Sequence, residues 1–183
     1  LILIKAGFNP TVILGTKLKE WGDSNFRMGG IPKVKCDILN EQYAMGDTKH
    51  REHKFLIIEA DEHFASFLNY WPKIIVLTNI EKEHLDYYKE FRSILKAYKE
   101  YISHLPKDGI LVLNEDDKNS LKIKTKDTKV KFKIKSYSLK KQREARKLRV
   151  ILKVPGEHNV ANALAALSVA RILKIPDKIS FKA

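Results

Sequence analysis

Two apolar stretches decide the fold: FLIIEADE at residues 55–62 and KIIVLTNIEKEH at residues 73–84. Each begins with a continuous apolar run of strand length, and a connection long enough for a short helix separates the two runs. Such runs are typical of parallel strands that are buried in a sheet with helices on both faces. Apolar residues recur at helical spacing over 90–105, and another apolar run follows at 110–114. The sequence therefore predicts a doubly wound α/β domain with a mostly parallel sheet.

The N-terminal third is less regular. Residues 1–8 predict the last turns of a helix that Gly7 closes, and residues 11–14 predict a short buried strand. Glycines and polar residues make 15–54 an irregular excursion of loops, with a hairpin near 34–39 as one alternative. We expect so long an irregular segment either to cover a site or to be mobile.

The positive charge of the chain is concentrated in one segment. The formal charge is +13, and residues 118–153 account for all of it, with fifteen Lys/Arg against two Asp/Glu. Lysines alternate with apolar side chains over 129–135, which is the period of a strand with one solvated face at a protected sheet edge. We expect a small antiparallel, lysine-rich extension; a nucleic-acid-binding module over 118–153 is the alternative. A short strand at 151–154 and a long Ala-rich helix at 158–173 should follow.

Composition excludes several classes of protein. The single cysteine, Cys36, rules out an internal disulfide and a cysteine-rich metal site, and it fits a reducing compartment. No apolar run approaches the roughly 20 residues that a membrane-spanning helix needs, and we find no signal peptide. At 183 residues the chain has the size of one domain. We therefore expect a cytoplasmic protein without a membrane partner, and a chain that is part of something longer.

Polar side chains follow both decisive strands at their carboxyl ends, where ligands bind in such sheets. Glu59 closes the first strand, and His84 lies just beyond the second. Neighbouring strands are about 4.8 Å apart, so the two side chains could meet at one cation, and a carboxylate favours a hard ion such as Mg²⁺. Imidazole is an unusual ligand for Mg²⁺, so a general base or a hydrogen-bonded polar residue stays open for His84. The alternative for residues 59–62 is an acidic helix start.

A second polar cluster opens the Ala-rich helix. Asn159 and Asn162 are three residues apart and share one face of the first turn, beside His158. An amide side chain can pair with adenine by donating to N7 and accepting from N6, whereas an asparagine cap is the structural alternative. A phosphate-binding loop is missing, because Gly-Thr-Lys at 15–17 has the wrong order and no Gly-x-x-x-x-Gly-Lys-Ser/Thr occurs. Taken alone, these residues indicate a nucleotide site that has candidate groups for the metal ion and the base but lacks a phosphate-binding loop.

Three motifs together resemble the central ATP-binding domain of the Mur ligases, in the family's order and spacing. They are EADE at 59–62 with SFL at 66–68, TNIE at 78–81 with HLDYY at 84–88, and PGEHNVANA at 155–163. The resemblance covers nearly the whole chain and implies a P-loop NTPase-like fold. In the family, the phosphate loop precedes the helix that residues 1–8 would finish. We therefore expect residues 1–183 to be a central domain whose phosphate loop lies upstream and whose C-terminal domain lies downstream.

The resemblance implies an ATP-dependent ligase of peptidoglycan synthesis, and with it a role in cell-wall biogenesis, cell shape and cell division. The family transfers the γ-phosphate of ATP to a substrate carboxylate, and an amine then attacks the acyl phosphate to give an amide. The alanine-adding branch is the most similar, so the implied substrates are UDP-N-acetylmuramate and L-alanine. The implied site residues are Glu59 and His84 for Mg²⁺ and catalysis, His158, Asn159 and Asn162 for adenine, and Asn79 for the phosphates or the acyl substrate.

Other interpretations stay open beside this one. A Mur-type ligase with a different amino acid or peptide substrate, or a related ligase of folate or amino-acid polymers, would share much of the pattern. Several Mur ligases hold a second Mg²⁺ through a carbamoylated lysine; Lys96 and Lys99 lie near the expected place, and we assign no role to either. The segment 29–54 looks longer than in typical relatives. We expect no ligase turnover from the 183 residues alone and no nucleic-acid partner, and the oligomeric state is left open.

Overall fold

The computed structural model describes residues 1–29, 55–123 and 132–183. In chain order its elements are α1 (Ile2–Lys5), β1 (Thr11–Leu18), β2 (Ser24–Arg27), β3 (Leu56–Ile58), β4 (Ile74–Leu77), α2 (Leu85–Tyr88), α3 (Phe91–Ser103), β5 (Ile110–Asn114), α4 (Lys118–Ile123), β6 (Lys133–Tyr137), α5 (Glu144–Ile151), α6 (Glu157–Ile172) and α7 (Asp177–Ser180). Short 3₁₀ helices occupy Lys19–Trp21 and His63–Asn69. None of the helices in the described ranges is long and apolar enough to cross a bilayer.

The chain divides into two compact units. Unit 1 combines Leu1–Glu59 with Ile175–Ala183, and unit 2 is Ala60–Lys174. In the part of the chain that the structure describes, each unit contains a three-stranded sheet, with the strand order β2-β1-β3 in unit 1 and β4-β5-β6 in unit 2.

The sheet of unit 1 is mixed. Strands β1 and β3 run parallel with Val12 opposite Ile57, while β1 and β2 form an antiparallel hairpin. The hairpin turns through the 3₁₀ helix Lys19–Trp21 and Gly22, whose φ of +71° is a left-handed conformation that glycine adopts at little cost. Apolar side chains of β3 remain accessible, since Leu56 is 61% exposed. The short helices α1 and α7 contact each other in this unit.

The sheet of unit 2 is entirely parallel and carries the main core. Leu77 of β4 lies opposite Leu113 of β5, and Val112 lies opposite Lys135 of β6. Strand β5 is in the middle of the sheet, and Val112 and Leu113 are completely buried. Helix α3 packs its apolar side against this core through Ile94 and its neighbours at helical spacing.

Most of the predicted order in unit 2 is confirmed. The apolar runs at 73–80 and 110–114 form β4 and β5, the amphipathic pattern at 90–105 forms α3, and the Ala-rich stretch at 158–173 forms α6. The α/β class with a parallel sheet is therefore confirmed. The predicted hairpin near 34–39 and most of the irregular segment lie outside the described residues.

The position of the first decisive strand differs from the prediction. The apolar run at 55–58 does form a strand, but β3 pairs with β1, and β4 belongs to the other sheet. Two consecutive residues in the connection, Phe64 and Ala65, have left-handed backbone angles that break a regular crossover helix. The expected side-by-side pairing of these two strands is wrong, because an apolar run does not specify its partner strand.

The lysine-rich segment also folds differently. An antiparallel extension is present, but it is the β1–β2 hairpin of unit 1. Residues 11–14 form the start of β1, as predicted, and the rest of the hairpin lies in residues predicted to be irregular. Among the described strands, the lysine-bearing β6 lies at the edge of its sheet, and it pairs in parallel with β5. The predicted strand at 151–154 is wrong, since α5 reaches Ile151. Ala145 and Leu148 are buried at helical spacing, a signal that the surrounding lysines and arginines obscure.

Basic side chains of this segment form ion pairs with acids. Lys141 Nζ lies 3.1 Å from Glu115 Oε2, and Arg149 makes two 2.7 Å hydrogen bonds to Glu157. Lys133 and Lys135 are exposed on the edge strand. The surface is thus a mixture of lysines and ion pairs in its described part, and its expected role as a solvated face stays a prediction.

Candidate functional site

Glu59 stands at the carboxyl end of β3 in unit 1. Its backbone N–H donates to Ile13 O at 2.9 Å, which extends the parallel pairing of β1 and β3 by one residue. Its Oε2 accepts a 2.8 Å hydrogen bond from the N–H of Gly15. The carboxylate is therefore oriented by the backbone of the neighbouring strand while the residue stays exposed.

His84 lies in unit 2, after β4 and immediately before α2. Its φ of 54° is left-handed, so the backbone turns sharply where the helix begins. Its Nε2 is 3.5 Å from Glu62 Oε1, and its ring stacks on His63 with 4.4 Å between the centroids. Carboxylate and imidazole groups thus converge here: one ligand atom from each of Asp61, Glu62 and His84 lies within 4.8 Å of the others.

Asn79 lies in the loop that follows β4. It is exposed, its Nδ2 donates to Glu81 Oε1 at 2.6 Å, and its Oδ1 accepts from the Thr78 hydroxyl at 3.1 Å. These neighbours fix the orientation of the amide. The structure thus places Asn79 in the loop that leads to His84.

Three side chains from the end of β5 and the start of α4 hold this loop, and the sequence analysis missed them. Asn114 donates to Thr78 O at 2.9 Å, Asp117 accepts from the Ile80 N–H at 3.2 Å, and Asn119 donates to Ile80 O at 2.8 Å. The sequence signal that could have identified them is the cluster of amide and acidic residues directly after the apolar run at 110–113. We interpret them as positioning residues, because their partners are backbone groups of the loop.

Tyr88 of α2 connects this helix to the segment that carries Glu62. Its hydroxyl donates to Glu62 O at 2.6 Å. Burial is the main cause that raises the pKa of Tyr88 to about 12, with the nearby phenol of Tyr87 and carboxylate of Glu62 contributing. The hydroxyl therefore remains a hydrogen-bond donor at neutral pH and stabilises the position of α2.

The start of α6 presents the predicted adenine-binding residues. Gly156 has a φ of +108°, a conformation that favours glycine, and a Cβ on it would also lie 2.6 Å from the ring of His158, which would have to move. Asn159 donates from Nδ2 to Pro155 O at 2.6 Å and thereby supports the helix start. Asn162 is exposed on the same face of the helix. All three residues thus lie in the first two turns of α6. Asn159 is not the N-cap that was the structural alternative, because Gly156 occupies that position and no side chain caps it.

Glu157 anchors the same helix start to α5. Its carboxylate accepts both hydrogen bonds of the Arg149 guanidinium, a planar two-point contact. The hydrogen bonding to Arg149 holds the pKa of Glu157 below its usual value. Sequence analysis did not identify this pair, since eight residues and a helix end separate its members.

The predicted residues are distributed over both units. Glu59 belongs to unit 1, and Asn79, His84, His158, Asn159 and Asn162 belong to unit 2. The joint use of Glu59 and His84 on one ion therefore stays a prediction. Lys96 and Lys99 are exposed on α3, and no role is assigned to either.

A comparison with models of known protein families identifies the family of this chain. The model of the Mur ligase middle domain matches residues 15–170, which include all the predicted site residues from Glu59 to Asn162. This chain belongs to the Mur ligase family. As a Mur ligase middle domain, it shares a family with ATP-dependent ligases.

Curated relatives of this Mur ligase middle domain match almost all of the chain. It is 31% identical over 193 residues to the UDP-N-acetylmuramate–L-alanine ligase of Syntrophotalea carbinolica and 33% identical over 193 residues to that of Caldicellulosiruptor bescii. The alignments cover 96% and 95% of this chain, and 37% of each relative. The chain thus spans little more than a third of the length of these relatives.

Solved structures show the same fold. The UDP-N-acetylmuramate:L-alanyl-γ-D-glutamyl-meso-diaminopimelate ligase of Neisseria meningitidis aligns with 99% of this chain and 58% of its own, with a TM-score of 0.73 and 18% identity. The UDP-N-acetylmuramate–alanine ligase of Thermotoga maritima aligns with 99% of this chain and 39% of its own, with a TM-score of 0.62 and 18% identity. At this identity the likeness concerns the fold of the Mur ligase middle domain alone.

Proposed function

We propose that this chain is the nucleotide-binding part of a ligase that joins L-alanine to UDP-N-acetylmuramate at the expense of ATP. The observation that carries the proposal is the match of nearly the whole chain to curated ligases with this activity. Because the chain spans 37% of those relatives, the activity is proposed for the longer protein that includes it. The reaction would be a cytoplasmic step of peptidoglycan precursor synthesis and would contribute to cell-wall biogenesis, cell shape and division.

The chemistry of the proposed reaction is phosphoryl transfer followed by amide formation. A carboxylate oxygen of UDP-N-acetylmuramate attacks the γ-phosphorus of ATP, the bond to ADP breaks, and an acyl phosphate forms. The L-alanine amine then attacks the acyl carbon, phosphate leaves, and the amine loses a proton. Enzymes accelerate phosphoryl transfer mainly by positioning the groups and neutralising their charge.

The residues at the two strand ends fit a divalent cation. Glu59 offers a carboxylate that is already oriented by the Gly15 N–H, and His84 offers an imidazole beside further carboxylates. We assign Glu59 and His84 as the protein ligands of Mg²⁺ and, in that capacity, as the catalytic residues. When bound, Mg²⁺ would neutralise phosphate charge.

The nucleotide would be held by residues of unit 2. Asn162 and His158 are exposed at the start of α6 and are assigned to adenine. Asn159 uses its Nδ2 on Pro155 O, so only its oxygen is assigned to the base. Asn79 is assigned to the phosphates or the acyl substrate, with its orientation set by Glu81 and Thr78.

The test is L-alanine-dependent ADP release by the longer protein with ATP, UDP-N-acetylmuramate and Mg²⁺. We expect release only when all components are present, and a preference for L-alanine over glycine and L-serine. ADP release with a different amino acid or a peptide would reassign the substrate within the family. No ADP release with any amino acid would overturn the proposal.

Substitutions at the strand ends test the residue assignment in the same assay. Glu59→Gln and His84→Gln should each lower kcat by about 100-fold or more, the size expected when charge stabilisation is lost. Matched controls are Glu20→Gln, an exposed acid in unit 1, and His104→Gln, a histidine that stacks on Trp71 in unit 2. Both controls should keep kcat within about twofold, as surface substitutions away from a site do.

A further inference from the structure

Two histidines and an aspartate meet in unit 2 independently of Glu59. One ligand atom from each of His63, His84 and Asp86 lies within 4.8 Å of the other two. His63 Nε2 is 3.9 Å from Asp86 Oδ2. The rings of His63 and His84 stack with 4.4 Å between centroids and 15° between planes. Because an imidazole binds a metal in the plane of its ring, one of the two rings has to turn out of this stack before both can reach the same ion.

His63 carries an unsatisfied nitrogen at this place. Its Nε2 is buried and, among the described residues, has no hydrogen-bond partner. A buried nitrogen without a partner is uncommon, because folding removes its hydrogen bonds to water. Asp86 Oδ2, at 3.9 Å, is too far away for a hydrogen bond, so the lone pair or N–H of this atom is not satisfied among the described residues.

The surroundings hold the His63 ring in this position. Phe64 stacks on the ring of His63 with 4.1 Å between centroids, and Tyr87 packs its edge against Phe64 at 5.3 Å. Contacts of this kind orient a ligand of a metal centre, although Phe64 and Tyr87 are themselves exposed. The third donor, Asp86, has a side chain that is 75% exposed and can rotate toward an ion.

We propose that His63, His84 and Asp86 form a binding site for a borderline divalent transition-metal ion, with Zn²⁺ as the best fit. Two imidazole nitrogens and one carboxylate oxygen are donors that such ions prefer, whereas Mg²⁺ prefers oxygen alone. Tetrahedral zinc needs donor separations of about 3.3 Å. The exposed Asp86 side chain and the ring of His84, which has to turn out of its stack on His63, would therefore rotate to bring the three donors to that spacing.

Occupation of this site would have a consequence for the ligase. His84 is a ligand both in the transition-metal site and in the proposed Mg²⁺ site. The effect on the ligase described next is the only part of this inference that rests on the proposed function. Zn²⁺ bound by His63 and Asp86 would withdraw His84 from Mg²⁺ and inhibit the reaction. Binding of Zn²⁺ itself requires neither ATP nor Glu59.

The experiment measures Zn²⁺ binding to the 183-residue chain by competition with a chromophoric chelator. A Cys36→Ser chain serves as the reference, so that the thiol does not contribute. We expect one tight Zn²⁺ per chain. His63→Gln should weaken that binding at least about tenfold, since one of three ligands is lost. Asp86→Asn should weaken the Zn²⁺ binding as well. Because this change is conservative and lies at an exposed residue, the variant still tests the site if His63→Gln unfolds.

Two control variants separate this site from its neighbours. His104→Gln removes a histidine that stacks on Trp71, and Glu62→Gln removes the carboxylate that faces His84 from the other side. Both should retain the reference affinity within about threefold. Reference affinity in folded His63→Gln and in Asp86→Asn would overturn the proposal. Loss of the tight ion in Glu62→Gln would overturn it too, because the ion would then lie with Asp61 and Glu62.

A spectroscopic readout distinguishes this proposal from the proposed function. Co²⁺ replaces Zn²⁺ and gives visible absorption bands that depend on its nitrogen ligands, and we expect His63→Gln to change these bands. Bands identical to those of the reference chain would contradict the assignment of His63. ADP release by the longer protein tests the ligase separately, so failure of either proposal leaves the other intact.

Discussion

Strands β3 and β5 have similar sequences but different surroundings. Both are short apolar runs that end in a polar residue, Glu59 after β3 and Asn114 at the end of β5. Leu56 of β3 is 61% exposed at the side of a mixed sheet, whereas Leu113 of β5 is fully buried in the centre of a parallel one. An apolar run therefore specifies a strand, whereas the elements that pack around the strand determine how much it stabilises the fold.

The ends of these strands are held differently too. One hydrogen bond from Gly15 orients Glu59 in unit 1. In unit 2, three side chains that follow β5 hold the backbone of the loop after β4. We therefore expect the Glu59 carboxylate to contribute little to the stability of unit 1. In unit 2, several polar residues fix the position of the loop that leads to His84.

The largest effect should come from truncating the buried strand. Leu113→Ala removes a fully buried side chain and should lower the free energy of unfolding by about 3 kcal/mol, from lost burial and the cavity left behind. The matched change Leu56→Ala should cost less than about 0.5 kcal/mol, because that side chain is already exposed. Urea denaturation followed by circular dichroism measures both. Equal losses would show that β3 is as well covered as β5.

Removing the loop support should have the next largest effect. Asp117→Asn weakens hydrogen bonds from the backbone of Ile80 and Ser120, and should lower the free energy of unfolding by about 2 kcal/mol. Hydrogen exchange of the Ile80 amide should become faster in this variant. Asp108→Asn, which loses a surface ion pair with Lys73, is the control and should leave that exchange rate unchanged. Unaltered exchange at Ile80 in Asp117→Asn would disprove the proposed support.

A smaller effect is expected at Tyr88. Tyr88→Phe removes the hydrogen bond to Glu62 O and should lower the free energy of unfolding by about 1 kcal/mol, whereas Tyr87→Phe, at an exposed ring, should change it less. The folded pKa of Tyr88 is raised to about 12, above its ordinary value near 10. Its contribution should therefore be complete below pH 10 and disappear as the pH rises through 12. A difference between wild type and Tyr88→Phe that grows above pH 10 would contradict this sign.

The smallest effect should appear at the exposed pair that anchors α6. The pKa of Glu157 is lowered by its hydrogen bonds to Arg149, so the pair should stabilise the fold above the ordinary pKa of glutamate. Its contribution should vanish as the pH falls through the lowered value. Thermal denaturation of wild type and Glu157→Gln should thus differ slightly at pH 7 and coincide in strong acid. A difference that persists at low pH would exclude the ion pair as its cause.

The sequence predicted the elements whose stability is local. The helical spacing in α3 and the apolar runs of β4 and β5 were recognisable, because amphipathic helices and buried strands impose these periods. Helix α6 was recognisable from its Ala-rich composition, since alanine favours helices. The assignment of β3 to another sheet was not predictable, since the left-handed angles at Phe64 and Ala65 are absent from any periodicity. Helix α5 was missed because charged residues that favour helices also alternate along solvated strands.

The candidate site was predictable only in part. Glu59, Asn79 and His84 stand at strand ends, and their position there follows from the order of the elements. Asn114, Asp117 and Asn119 act on loop backbone up to 39 residues away, and such tertiary hydrogen bonds leave no local pattern. The unsatisfied nitrogen of His63 likewise becomes visible only when its surroundings are known.

The central claim is that Glu59 and His84 serve the same Mg²⁺, and a Mg²⁺ titration of ADP release tests it most directly. The longer protein would be assayed as wild type, Glu59→Gln, His84→Gln and the double variant, with ATP, UDP-N-acetylmuramate and L-alanine. We predict that each single variant needs at least about tenfold more Mg²⁺ and that the double variant is little worse than the poorer single one, because partners on one ion act as a unit. Wild-type Mg²⁺ dependence in both single variants would contradict the account.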